Sequence, residues 1–144
     1  MNINTVLKDE EIRQEGIKDS FLKDYLGMSD NQAEEIIKHL ENNESPLITK
    51  EDSKLYKDNS LASINDFEIP YPLQVKATLY HSSEKEKENE YLFEVGFYTK
   101  EEDNFELYDN ILINLMCENN EIKEYWIYLD DVWEYTHWET IEHI

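Results

Sequence analysis

The chain has one cysteine (Cys117), one arginine (Arg13), three glycines and three prolines among 144 residues. A single cysteine excludes an intramolecular disulfide, and without a Cys-based metal pattern it fits a reducing, cytoplasmic setting. Scarce glycine and proline imply regular elements joined by short turns. No apolar run approaches the roughly 20 residues of a membrane span. The opening residues turn charged straight after Val6-Leu7, unlike a secretory signal. Gly-rich phosphate loops, nucleophile motifs and zincin patterns are missing, so nothing argues for an enzyme. Basic residues are also in deficit: 13 Lys and Arg stand against 34 Asp and Glu, a net charge of −21. Charge of that sign and size repels nucleic acid and anionic lipid and attracts basic proteins.

What is present in quantity is aromatic. Ten Tyr, five Phe and three Trp in an acidic chain point to a packed core rather than disorder, and the length fits one domain, 1–144. Residues 1–45 read as helical: Val6, Leu7, Ile12, Ile17, Phe21, Leu22, Tyr25 and Leu26 recur at roughly helical spacing, with Gly16 and Gly27 where helices can end. Ser29 followed by Gln32 is a capping-box pattern opening a helix that buries Ala33, Ile36, Ile37 and Leu40.

From Phe21 to Tyr56 the pattern is similar to a winged helix-turn-helix. Residues 25–29 would be its turn, 30–43 its recognition helix and Leu47–Lys50 the first strand of its wing. That helix carries Asp30, Glu34, Glu35 and Glu41 against Lys38 alone, so phosphates would repel it, and a partner-binding or structural role fits better than DNA reading.

At Leu73 the period changes to two. Leu73, Val75, Ala77 and Leu79, then Tyr91, Phe93, Val95 and Phe97, then Ile111, Ile113, Leu115 and Cys117 each alternate with other residues. Asn119-Asn120 supplies a tight turn into a strand over Ile122–Asp130. These form a β meander over 70–130. The segment 131–144 fits either a helix, with Trp133, His137, Ile141 and Ile144 on one stripe, or a strand with Trp133, Tyr135 and His137 alternating; the helix is preferred. The expected fold is α+β, with N-terminal helices packed on an antiparallel sheet of about four strands and a C-terminal helix.

Function is sought in Glu101–Ile144, which holds thirteen carboxylates, one lysine (net 1 − 13 = −12) and all three tryptophans. A charge of roughly 2–8 suffices for solubility in a small domain, and Trp and Tyr dominate binding hot spots. With Tyr125, Ile127 and Leu129 facing inward, Glu124, Trp126, Tyr128 and Asp130 share the other face of their strand. The expectation is an acidic inhibitor that neutralises a basic nucleic-acid-binding partner, foremost an immunity protein for a cognate nuclease toxin. The alternative is a phage or mobile-element DNA or RNA mimic with anti-restriction or anti-CRISPR action. Trp126, Tyr128, Trp133 and Trp138 would be anchors; Asp103, Glu106, Asp109, Glu124, Asp130, Asp131, Glu134 and Glu139 would steer and pair. The competing reading places a helix over Trp126 and Tyr128 and makes them core. A third reading is an enzyme with a metal site at His137, Glu139, Glu142 and His143. On a helix, however, the two histidines do not share a face, so no metal, cofactor or catalytic residue is expected. Neither direct nucleic-acid nor membrane contact is expected, and the oligomeric state stays open. Crowded, unpaired carboxylates are expected to have raised pKa values.

Overall fold

The alternation that begins at Leu73 becomes the body of a six-stranded antiparallel sheet in the computed structural model, which describes residues 1–53, 69–101, 104–129 and 137–144. The strands are β1 (Leu47–Ile48), β2 (Leu73–Ser82), β3 (Glu90–Glu101), β4 (Asn104–Glu118), β5 (Glu121–Leu129) and β6 (Trp138–His143). Their order is β1-β2-β3-β4-β5, with β6 also on β2. β1 and β6 share the free side of β2: β1 pairs at Leu73–Gln74 and β6 at Thr78–Ser82. Asn119 and Asn120, both at positive φ, make the tight turn from β4 to β5.

Two expectations are corrected. The sheet has six strands rather than four, and the C-terminus is a strand rather than a helix. The reason lies in β2, whose outer edge offers backbone donors and acceptors from Thr78 to Ser82. β6 satisfies them, and the flanks continue the ladder, with Ile144 N–H donating to Ala77 O at 3.0 Å and Ser83 N–H to His137 O at 2.7 Å. A helix in that place would leave this edge bare.

Helices α1 (Ile3–Leu7), a π-helix (Ile12–Lys23) and α2 (Asp30–Glu41) cover one face of the sheet. Leu73, Val75, Ala77 and Leu79 of β2, Phe93, Val95 and Phe97 of β3, and Ile111, Ile113, Leu115 and Cys117 of β4 point into that layer and are buried with Ile17, Phe21, Leu22, Ile37 and Leu40. The Phe21 ring stacks on Phe97 with centroids 4.4 Å apart. Gly16 lets the π-helix press on the sheet, since a Cβ there would lie 3.0 Å from Ile127 Cδ1. Gly16 therefore sits inside a helix, not at its end, whereas Gly27, at φ 72°, does form the turn before α2.

The π-helix follows from its residues. Its i→i+5 ladder makes each turn between four and five residues long. The buried positions Ile12, Gly16–Ile17 and Phe21–Leu22, with Leu26 just beyond the helix end, recur at that spacing and so share one face. The cations do the same: Arg13, Lys18 and Lys23 stand five apart along one flank and meet carboxylates of α2. Arg13 pairs with Glu34 and Glu41, Lys18 with Asp30 (3.6 Å) and Glu34 (3.8 Å), and Lys23 with Asp30 (2.8 Å). Lys23 holds the Asp30 carboxyl below its usual range, so the rise expected of unpaired acids does not apply to this paired one.

α2 opens with the anticipated capping box: Ser29 Oγ accepts from the Gln32 N–H, and the Gln32 side chain accepts from the Ser29 N–H. The segment expected to resemble a helix-turn-helix holds the π-helix, the Gly27 turn and α2 in succession. Leu47–Ile48 then joins the main sheet through β2 instead of starting a separate wing.

Candidate protein-binding face

β5 ends the sheet order, and alternation gives it two distinct faces. Tyr125 and Ile127 turn toward the helices, where both pack on the core and Tyr125 Oη donates to Glu11 at 3.2 Å. Glu124, Trp126 and Tyr128 turn the other way. Trp126 pairs across the ladder with Asn114, Tyr128 with Leu112 and Glu124 with Met116. Trp126 is 45% exposed, Glu124 is exposed and Tyr128 is half-buried. Trp126 is thus not a core residue under a helix. Beside it, Asn114 Oδ1 is buried without a hydrogen-bond partner among the described residues.

The middle of this far face is not wet. Thr78, Leu92, Glu94, Asn110 and Leu112 are buried there, outside the helix-facing core. Glu94, 3% exposed, accepts from Asn110 Nδ2 at 2.8 Å and from Tyr80 Oη at 3.4 Å. Tyr98 lies folded over Gly96 of the same strand. Burial, reinforced by the Glu94 carboxylate, pushes the phenols of Tyr80 and Tyr98 up to about 12. Hydrogen bonds from Asn110 and Tyr80 engage this carboxylate, as a buried polar group requires. On the helix side, burial pushes the Cys117 thiol up to about 11, and it packs as a small buried group.

The other expected contact residues are dispersed. Glu106 is exposed toward the β3–β4 hairpin end, and Asp109, half-buried, pairs across the ladder with Phe97. Trp138 is half-buried on the same face as Trp126 but at the opposite edge, on β6 opposite Ser82. Four strand steps of roughly 4.8 Å separate the two tryptophans. Glu139 is exposed and lies opposite His81, on the helix-facing side. Asp103, Asp130, Asp131, Trp133 and Glu134 lie outside the described residues. The compact group is therefore Glu124, Trp126 and Tyr128.

Sequence reasoning missed Phe105 and Leu107, which are 43% and 47% exposed at the far end of β4. Lys76 Nζ sits 4.3 Å from the Phe105 ring centroid and 5.5 Å from that of Tyr98, a cation–π arrangement on the far face. The signal was Phe-Glu-Leu at 105–107, two apolar residues alternating with an acid in a stretch too near a turn to be core.

Charge pairing divides the acids. α2 is largely matched by the π-helix. In the C-terminal third Lys123 pairs with Glu121 at 3.2 Å, while Glu106, Glu118, Glu124 and Glu139 have no ion-pair partner among the described residues. The histidine–carboxylate group near the terminus does not converge. His137 pairs with Glu84 at 3.5 Å, Glu142 accepts from the Ile3 N–H at 2.7 Å, and His143 lies opposite Thr78. Among the described residues no three His, Cys, Asp or Glu side chains are placed to hold a metal ion, and no helix is long and apolar enough to cross a membrane.

Comparison with protein-family models, curated proteins and solved structures gives no match. Among the described residues the fold is α+β, with α1, the π-helix and α2 against a six-stranded antiparallel sheet, and function must be argued from its surfaces.

Proposed function

We propose that this chain is a non-enzymatic acidic inhibitor that neutralises a basic nucleic-acid-binding partner, foremost as a cytoplasmic immunity protein for a cognate nuclease toxin. The observation that carries the reading is the far face of β5, where an exposed tryptophan stands two residues from Glu124, a carboxylate with no ion-pair partner among the described residues. An aromatic anchor with an unmatched acid beside it suits a partner that brings lysine or arginine. A nuclease meets that description because its substrate site must attract phosphates. Asn114 Oδ1 supports the reading as a further acceptor next to Trp126. Nucleic-acid mimicry draws less support. Duplex DNA carries one charge per roughly 1.7 Å of axis, so a mimic needs a long regular stripe of acids, whereas Glu124 and Glu139 occupy opposite faces at opposite edges of the sheet.

Immobilised protein should capture a basic protein from host lysate at low salt and release it as salt rises. The double variant Trp126→Ala, Glu124→Lys should capture none, and the captured protein should be a nuclease that the wild-type chain inhibits. Enrichment of no basic protein, or equal capture by the double variant, would end this reading.

A further inference from the structure

A cleft of about 650 Å³ opens at the β1 edge of the sheet, between α2, the loop that follows it and the start of β2. Its wall is a stripe of α2 spaced at helical intervals, Gln32, Glu35, Ile36 and His39. Across from it stand Glu44, Pro46 and Leu47, with Met28 and Gln74 completing the lining. None of this belongs to the β5 face.

Two properties of the cleft specify an occupant. The first is apolar surface: Leu47, 56% exposed although it belongs to a strand of the main sheet, and half-buried Pro46 supply it, with Met28 and Ile36 buried beneath. The second is unmatched negative charge. Of the four carboxylates on α2, Asp30, Glu34 and Glu41 pair with cations of the π-helix. Glu35 lies off that flank, is exposed and has no partner among the described residues. Glu44 follows α2 and carries only the His39 Nδ1 contact, at 3.2 Å. Asp52 is engaged, accepting from the Thr49 N–H at 2.7 Å. No lysine or arginine is among the described lining residues.

We infer that this cleft binds an arginine side chain presented by an extended segment of a basic protein. The aliphatic stem covers Pro46 and Leu47, and the guanidinium meets Glu35 and Glu44. A long side chain with an apolar stem and charged head matches a cleft that sets an apolar lip, Pro46 and Leu47, beside two carboxylates. Arginine suits it better than lysine, because two separate carboxylates call for several donors fanned in a plane. The inference stands apart from the β5 reading, since it uses a different surface and different acids.

The test is an amide-shift titration of the full chain with two blocked tripeptides, N-acetyl-Leu-Arg-Leu-amide and its citrulline counterpart, which has the same shape without the charge. The arginine peptide should move the amides around Glu35, Ile36, His39 and Leu47, and the citrulline peptide should bind at least about tenfold more weakly, the scale of a lost charged hydrogen bond. Glu35→Lys should remove the response, Glu44→Gln should weaken it, and Trp126→Ala should leave it intact. Equal binding of the two peptides, shifts spread over the acidic surface at large, or a response indifferent to Glu35→Lys would overturn the assignment. A response lost in Trp126→Ala and kept in Glu35→Lys would also overturn it, while leaving the β5 reading standing.

Discussion

Arg13 reaches from the π-helix to Glu34 of α2 and, with its other terminal nitrogen, to Glu41 a further two turns along. The only arginine of the chain thus fastens two helices, and its side chain is 16% exposed. Arg13→Ala should destabilise the fold by about 2 kcal/mol, because it leaves two partly buried carboxylates without their donor. Arg13→Lys should recover only part of that loss, since an ammonium cannot span both acids. Chemical denaturation of the three proteins measures it; equal midpoints for Arg13→Ala and wild type would show that the pairing contributes nothing.

The second prediction concerns Gly96. A Cβ there would lie 2.6 Å from Tyr98 Cε2 and 2.9 Å from its hydroxyl. Gly96→Ala should therefore displace the Tyr98 ring from the Glu94 cluster and cost about 1–3 kcal/mol, the range for overpacking. In a Tyr98→Ala background the same substitution should cost much less, and the difference between the two measurements gives the coupling. Equal costs in both backgrounds would place the strain elsewhere.

The alkaline limb of stability should be governed by Tyr80 and Tyr98. Both phenols are raised from 10.0 to about 12, burial first and Glu94 second. An acid whose folded pKa is raised keeps its proton in the native state while the unfolded chain gives it up. Stability from this source is full below pH 10 and is lost as pH climbs from about 10 toward 12. Lys23, raised chiefly by its hydrogen bond to Asp30, adds to the same loss above its ordinary value of 10.5. Asp30 acts at the other end: its lowered pKa gives stability that is present above the unfolded value of 3.8 and lost as pH falls through the folded one. Phenolate absorbance should show Tyr80 and Tyr98 titrating late in the folded protein, alongside Tyr125, which burial and Glu11 also raise, and a Tyr80→Phe, Tyr98→Phe variant should lose the first two steps and keep the third.

Trp126 should report the local field. In a variant retaining it as the sole tryptophan (Trp133→Phe, Trp138→Phe), caesium should quench its fluorescence more strongly than iodide, because Glu124 and the net charge of −21 gather cations and exclude anions. Added inert salt should narrow the gap. Equal quenching by both ions at low salt would mean that the acids around Trp126 do not shape its surroundings.

Much of this architecture was legible because local rules decided it. The capping box at Ser29 and Gln32 starts α2, the left-handed Gly27 and Asn119-Asn120 make their turns, and alternation places Ile127 inward and Trp126 outward. The N-terminal helix was legible in kind but not in pitch. Ile12, Ile17, Phe21–Leu22 and Leu26 recur every four to five residues, as do Arg13, Lys18 and Lys23, a spacing that suits a π-helix better than an α-helix. The C-terminus was not legible. His137 to Ile144 satisfies two periodicities equally, and what selects the strand is the open edge of β2, more than fifty residues away. Dispersal of the expected contacts has the same origin: Glu124 and Glu139 are close in sequence, but β5 and β6 end up on opposite sides of three other strands.

One consequence follows from the way β5 lies between its two faces. Trp126 looks outward and Ile127, the next residue, looks inward onto Gly16, where there is no side chain to give way. A load placed on the indole by anything that docks there is delivered through a single peptide unit to the backbone of the helix behind the sheet. Occupation of the far face should therefore slow amide exchange in residues 12–23, so that the helix layer registers an event on a surface it never touches.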